Sequence, residues 1–176
     1  MTSFPHLNEL DFIPYLNDDG QIPEQFEHRV GVYAIFDQTK TLQYIGYSRD
    51  VALSLKQHLV RQPQQCYWVK MQTIDRPSRT ILEEIQNAWV QENGVTPSGN
   101  ADNTAQWNQA IDAKTNMTDE DKATYNASDD AGKIKILKQV ARRVEAEVLA
   151  KLEARGVKIP IRFDPKAKEE GLLNVK

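Results

Sequence analysis

The sequence predicts an α/β fold of the α+β kind: a small mixed or antiparallel sheet flanked by helices, with a C-terminal helix and edge strand. Three observations predict it. Short β-branched and aromatic runs alternate with amphipathic stretches, in the order β, β, α, β, α over residues 30–94. A long helical pattern follows residue 130. The chain has 176 residues, 40% of them hydrophobic, which is enough to bury one main core.

The first two strands are predicted to form a hairpin. The run "VGVYAIF" at residues 30–36 and the run "TLQYIG" at residues 41–46 are separated by the turn "DQTK". Glycine ends the second run. A third strand, "CYWVKMQTI", is predicted at residues 66–74.

Two amphipathic helices are predicted between and after these strands. The first, "SRDVALSLKQHLV", begins at a cap provided by Ser48 or Asp50. The second, "RTILEEIQNAWVQEN", ends at Gly94. The predicted buried residues are Val51, Leu55 and Leu59 in the first helix and Ile81, Ile85, Ala88 and Trp89 in the second.

The chain divides into four predicted segments. Residues 1–29 are a strapping segment, residues 30–100 form the main domain, residues 101–130 are a polar linker or insertion, and residues 131–176 supply a C-terminal helix and strand that pack on the domain. Within the polar segment, "TDED" at residues 118–121 is a capping-box pattern and predicts a short helix.

The long C-terminal helix is predicted from apolar residues at three- and four-residue steps, and it ends at Gly156. These residues are Ile134, Leu137, Ala141, Val144, Val148 and Leu152. After it, "VKIPIRF" alternates apolar and polar residues, which predicts a strand at residues 157–163. Pro160 favours a sheet edge for this strand, because proline has no backbone N–H to donate.

Composition restricts the classes of function. A formal charge of −3 and a pI of about 5.7 give no overall attraction for polyanions, so nucleic-acid binding would require a local basic patch. One cysteine, Cys66, excludes an internal disulfide and a multi-cysteine zinc site, and is predicted to be a small buried apolar residue. No apolar run is long enough to span a membrane, and the start lacks the features of a signal peptide. We expect a cytoplasmic protein.

The hairpin and the helix after it carry a motif. It consists of "GVY" at residues 31–33, "YIG" at residues 44–46 and, in step with them, Ser48, Arg49, Asp50, Val51 and "KQHL" at residues 56–59. This pattern resembles the GIY-YIG nuclease domain, a small mixed α/β fold. The resemblance covers about residues 30–100, including Pro97 and Asn100. The whole chain is similar to small GIY-YIG-type proteins of cyanobacteria and plastids.

The resemblance implies a set of site residues. Tyr33 and Tyr44 match the paired tyrosines, and His58 matches the histidine at the end of the first helix. The metal carboxylate of the family would come from the second helix, as Glu84 or Glu83, and would hold Mg²⁺ or Mn²⁺ if the centre is active. Phenols can orient an attacking water, and a metal ion can stabilise charge on a phosphate. Without the resemblance, the tyrosines are typical packing residues and the glutamates typical solvated charges.

One position departs from the family. The helix arginine of the family falls on Ser54, which has no charge to neutralise a phosphate. Lys56, Arg61 and Arg49 are the neighbouring candidates to replace it. In the same register the family's acid falls on Gln86, which leaves the choice of glutamate open. No cofactor is certain. We therefore expect a degenerate domain that acts as a binding or assembly module; the alternative is a metal-dependent nuclease acting on DNA or RNA.

The long helix offers a candidate binding surface. Lys135, Lys138 and Arg142 share one face of it. They could contact a phosphate backbone, or they could simply form the solvated face opposite the apolar stripe. The partner expected from the sequence is therefore either an unknown protein or a nucleic acid.

Overall fold

A computed structural model describes residues 3–176 of the chain. Its contacts divide the chain into two compact units, the first ending at Asn108 and the second spanning Gln109–Lys176. The predicted fold class is confirmed, because a four-stranded antiparallel sheet is combined with helices in the first unit. Across residues 3–176, no helix has the length and apolar character needed to cross a membrane.

The sheet of the first unit has the order β1-β4-β2-β3, and all neighbouring strands are antiparallel. Its strands are β1 (Ile13–Pro14), β2 (Gly31–Phe36), β3 (Leu42–Ser48) and β4 (Trp68–Thr73). All six residues of β2 are buried, because this strand is central and both of its faces are covered. The predicted hairpin is confirmed, with Tyr33 opposite Gly46 and Ile35 opposite Tyr44. β3 lies at the edge of the sheet.

The helices α1 (Val51–Arg61) and α2 (Arg79–Asn93) begin at the side-chain caps Asp50 and Ser78. Predicted burial is confirmed for Val51, Leu55, Leu59, Ile85 and Trp89. Ile81 and Ala88 are only half-buried, and Leu82 is the buried residue of the first turns of α2. Gly94 ends α2 in the left-handed conformation, at φ 81°, as predicted.

The two faces of the sheet are covered by different residues. Val32, Ala34, Phe36 and Ile45 pack with Leu82, Ile85 and Trp89 of α2. Side chains alternate between the faces along a strand, so Tyr33 and Tyr44 point to the other face. There they meet His58 of α1. The hairpin register therefore decides which side chains can join a site.

The edge strand β3 is protected by a side chain from a later segment. The backbone N–H of Ile45 donates to Oδ1 of Asn100 at 2.7 Å, and Nδ2 of Asn100 donates to the Ile45 carbonyl at 2.7 Å. Nε2 of Gln86 donates to the same carbonyl at 2.9 Å. Asn100 ends a short 3₁₀ turn, Ser98–Asn100, which is followed by the helix α3 (Thr104–Asn108). These amides pair an edge that would otherwise be free.

The second unit is built around a long helix. It contains β5 (Ile111–Asp112), α4 (Asp119–Ala127), α5 (Asp130–Ala154), α6 (Pro165–Lys168) and β6 (Leu172–Leu173). The predicted capping box is confirmed: Thr118 accepts from the Asp121 N–H, and Asp121 accepts from the Thr118 N–H. The predicted stripe of α5 is buried at Ala141, Val144, Val148 and Leu152, whereas Leu137 is half-buried and Ile134 is 41% exposed.

The predicted strand at residues 157–163 is wrong. Only Phe163 forms a bridge, to Val175, and the regular strand pair of this unit is β5 with β6. Pro160 supplies no donor, which weakens any strand built around it. Apart from this bridge, the segment has no regular secondary structure.

We predict that Asn100→Ala lowers the free energy of unfolding by about 1–3 kcal/mol, because it leaves the N–H of Ile45 unpaired at a partly buried edge. Urea denaturation measures the change. Asn8→Ala is the control, since the Asn8 side chain is exposed. Equal effects of the two substitutions would contradict the role given to Asn100.

Candidate functional site

Three of the predicted site residues come together on the α1 face of the sheet. The ring centroids of Tyr33 and Tyr44 are 6.2 Å apart. The His58 ring lies 5.6 Å from Tyr33 and 4.7 Å from Tyr44. We call Tyr33, Tyr44, His58 and the neighbouring Arg61 the phenol cluster. The strand pairing places both phenols here, and one end of α1 brings the histidine and the arginine.

The hydrogen bonds of the phenol cluster set the protonation of His58. Its Nδ1 lies 2.9 Å from the carbonyl oxygen of Trp107, and a carbonyl only accepts, so Nδ1 carries the proton. Nε2 is then an acceptor, and the Tyr33 hydroxyl donates to it at 2.7 Å. The Tyr33 proton is committed to this bond.

A tryptophan closes the phenol cluster. The indole of Trp107 stacks on Tyr44 with centroids 5.1 Å apart and planes 3° apart, and it is only 2% exposed. Its carbonyl oxygen also accepts from Nη1 of Arg61 at 3.0 Å. The Tyr44 hydroxyl donates to Oδ1 of Asn108 at 2.8 Å. We call α3, with Trp107 and Asn108, the cap. The surface between the two phenols is therefore filled rather than open.

Gly46 is required for this arrangement. A Cβ at this position would lie 2.6 Å from a ring carbon of Tyr44 and 2.7 Å from the Tyr33 hydroxyl. Because the Tyr33 ring crosses directly over this part of β3, only a residue without a side chain fits. Steric constraint therefore explains why the "YIG" motif ends in glycine, and this explanation is independent of catalysis.

Burial keeps the phenol cluster uncharged apart from Arg61. It raises the pKa of Tyr33 well above its usual value, with a further contribution from neighbouring Tyr44. It also raises the pKa of Tyr44. Burial, followed by the nearby Arg61, lowers the pKa of His58 to about 3. At neutral pH both phenols are protonated and the imidazole is neutral. None of the three is poised to remove a proton from water.

Ser54 stands beside the phenol cluster without supplying charge. Its hydroxyl donates to Oγ of Ser48 at 2.7 Å. Of the candidates to replace the family arginine, Arg61 is the one that belongs to the phenol cluster. Burial, the larger cause, lowers the pKa of Arg61, and the neighbouring phenols Tyr33 and Tyr44 raise it. Arg49 instead lines a separate cleft of about 360 Å³ with Arg79.

The predicted glutamates do not join the tyrosines. α2 packs on the opposite face of the sheet from the two phenols, so Glu83 and Glu84 do not belong to the phenol cluster. Glu83 accepts from Arg79 at 2.8 Å and from the Tyr47 hydroxyl at 3.2 Å. Glu84 is exposed. Among residues 3–176 no group of three or more histidine, cysteine or acidic side chains is arranged to hold a metal ion.

The predicted basic face lies in the second unit. Lys135 and Arg142 are exposed on α5, whereas Lys138 pairs with Glu169 at 3.5 Å. Nearby, Lys168 pairs with Glu145 at 2.6 Å. Acidic partners therefore interrupt the positive charge on this side of α5. A phosphate-binding role for these three residues remains a prediction.

Sequence reasoning missed the cap. Trp107 and Asn108 fall in a stretch that composition assigned to a polar linker. The signal that was available is a single large aromatic residue within "NTAQWNQ", because an isolated tryptophan in a polar run normally finds something to pack against. Its partner could not be deduced, since His58 lies 49 residues away from Trp107 in the sequence.

Comparison with known proteins gives a partial match. No family model matches the chain. Over 98 residues it is 33% identical to a protein of Arabidopsis thaliana named "Bifunctional monothiol glutaredoxin-S16, chloroplastic". The alignment covers 53% of this chain and 32% of the relative, so the chain spans about a third of the length of the curated relative it matches.

This relative corrects one part of the sequence-based description. The description of the chain as nuclease-like is wrong on this comparison, because the relative is named a glutaredoxin. A cytoplasmic location stays a prediction, and the name of the relative places that protein in the chloroplast. Glutaredoxins work by thiol–disulfide exchange, which requires an accessible thiolate. The one cysteine here, Cys66, is fully buried, as predicted.

We predict that Tyr33→Phe destabilises the protein by about 1–3 kcal/mol, because it leaves Nε2 of His58 buried without a donor. Tyr44→Phe leaves only an amide oxygen of the exposed Asn108, which water can pair, so its cost should stay below about 1 kcal/mol. Urea denaturation at pH 7 measures both. A larger effect for Tyr44→Phe would contradict the hydrogen-bond pattern.

We also predict that His58 makes stability fall in acid. Its pKa is lowered to about 3 in the folded chain, whereas an unfolded histidine titrates near 6.5. Between these values the unfolded state binds the extra proton, so stability decreases as pH falls from about 6.5 towards 3. The slope from this one group is at most about 1.4 kcal/mol per pH unit.

The measurement is the free energy of unfolding of the unmodified chain and of His58→Gln, each from pH 7 to pH 4. The difference in slope between them reports His58. His28→Asn is the control, because His28 is exposed at a positive φ of 56° that asparagine tolerates. Parallel pH profiles for the unmodified chain and His58→Gln would contradict the prediction.

Proposed function

We propose that the first unit is a degenerate GIY-YIG-type domain that acts as a binding or assembly module and does not cleave phosphodiester bonds. The observation that carries this proposal is the cap: Trp107 stacks on Tyr44, and Tyr33, Tyr44 and Trp107 are all buried, which leaves the phenols closed to a phosphate. Frame residues of the motif are kept, but their contacts serve packing.

Three further observations support the absence of cleavage. Ser54 supplies a hydroxyl where a charge is needed, and it is bonded to Ser48. The buried phenols hold their protons at neutral pH, because burial raises the pKa of Tyr33 and of Tyr44. The carboxylates of α2 lie on the other side of the sheet from the phenol cluster.

The partner favoured by this site is a protein rather than a nucleic acid. The chain carries a formal charge of −3, and the most basic face found in the sequence is interrupted by Glu169 and Glu145. Nucleic-acid affinity depends on several uncompensated cations. Thiol exchange of the kind named for the relative is not proposed, because Cys66 is enclosed in the core.

We predict that the full chain shows no cleavage above background with Mg²⁺ or Mn²⁺ on supercoiled plasmid, single-stranded DNA or single-stranded RNA. Gel electrophoresis after overnight incubation measures it. Tyr44→Phe, purified in parallel, is the control for contaminating nuclease, and both proteins should give the same trace. Metal-dependent cutting by the unmodified chain that disappears in Tyr44→Phe would overturn the proposal.

A further inference from the structure

Arg61 has an unusual environment for a cation. It is half-buried at the end of α1, and among residues 3–176 no carboxylate forms an ion pair with it. Its guanidinium donates to one neutral oxygen, the carbonyl of Trp107. Burying part of a charge with so little compensation is costly. A hydrogen-bond acceptor bound next to Arg61 would offset this cost.

The cap meets the phenol cluster as a bound peptide would. One aromatic side chain, Trp107, lies flat on Tyr44. The main-chain carbonyl of the same residue takes a neutral donor from His58 and a charged donor from Arg61. The next side chain, Asn108, accepts from the Tyr44 hydroxyl. The phenol cluster therefore contacts the ring and the carbonyl of Trp107 and the side-chain amide of Asn108.

We propose that the phenol cluster is a peptide-binding site that its own cap occupies, and that a partner protein binds by placing a Trp-Asn-like segment there in trans. This inference deepens the proposed binding role and rests on it. In the partner, the aromatic ring takes the place of the Trp107 indole and its main-chain carbonyl takes the donors of His58 and Arg61. An amide side chain follows and accepts from Tyr44.

The cap has the properties of a replaceable segment. α3 has five residues, and a helix this short is unstable in isolation. Residues 101–106 are all exposed, so the contacts of the cap with the phenol cluster come from Trp107 and Asn108. A cleft of about 190 Å³ borders Trp107 and is lined by neutral amide and hydroxyl side chains, including Gln62 and Gln65. A competing segment can approach from this side without meeting a charge.

Competition between the two segments gives a quantitative expectation. A partner can bind only the fraction of molecules whose cap is open, so the apparent dissociation constant is the intrinsic constant divided by that fraction. Removing the Trp107 ring takes away the stacking on Tyr44, so the cap is open in a larger fraction of molecules and this penalty falls. The variant should therefore bind a trans peptide more tightly than the unmodified chain.

The probe is a labelled synthetic peptide, acetyl-NTAQWNQ-amide, which copies residues 103–109. Fluorescence anisotropy follows its binding to the full chain. We expect saturable binding to Trp107→Ala and at least tenfold weaker binding to the unmodified chain. The same peptide with alanine in place of tryptophan should not bind either protein. Arg61→Gln in the Trp107→Ala background should weaken binding about tenfold, the loss expected for one charge-assisted hydrogen bond.

Trp68→Ala is the matched control, because Trp68 is a half-buried tryptophan on β4 and its loss leaves the cap in place. It should bind no better than the unmodified chain. Failure of folded Trp107→Ala to bind the peptide, or equal binding of the alanine peptide, would overturn the inference.

If circular dichroism shows Trp107→Ala unfolded, Trp107→Leu keeps apolar contact and replaces it. In parallel, NMR follows the Tyr44 and His58 ring signals of the unmodified chain up to millimolar peptide. An unshifted spectrum at that concentration would reject the site. These outcomes are independent of the cleavage assay, so the binding site and the lack of nuclease activity can fail separately.

Discussion

The main-chain carbonyl oxygen of Trp107 accepts two hydrogen bonds from α1, and the chemistry of the site depends on this one acceptor. It fixes the proton of His58 on Nδ1, which in turn makes Tyr33 the donor to Nε2. It is also the oxygen that receives the half-buried guanidinium of Arg61. Moving this carbonyl away would leave two donors of α1 without an acceptor at once.

The same contacts give the residues of the motif a packing role. Two phenols, a histidine and a glycine each take part in packing: Tyr33 bonds His58, Tyr44 stacks on Trp107, and Gly46 gives the Tyr33 ring room to cross β3. These constraints act on any chain with this hairpin, whether or not it cleaves a substrate. The presence of these residues is therefore no evidence of an activity by itself.

The partial relative is matched over a limited stretch of both proteins. The alignment covers about half of this chain but only about a third of the relative, which is named a monothiol glutaredoxin. Here Cys66 is buried. The partner binding proposed above rests instead on the hydrogen-bond donors and the aromatic face of the phenol cluster.

Local patterns in the sequence determined the fold class, the hairpin, the main helices and their caps, because periodicity and capping act within one or two turns. They also placed Tyr33, Tyr44 and His58 in one motif. The missing strand at residues 157–163 shows the limit of alternation alone, since a strand also needs a partner edge.

Only the tertiary structure decided which face each group joins and what covers it. The register of the hairpin separates the phenols from the carboxylates of α2, although the linear motif suggested one centre. Trp107 reaches His58 across 49 residues of sequence, through a segment whose composition is that of a linker. Contacts at that separation depend on how elements pack against each other, and no local periodicity or helix-capping pattern encodes them.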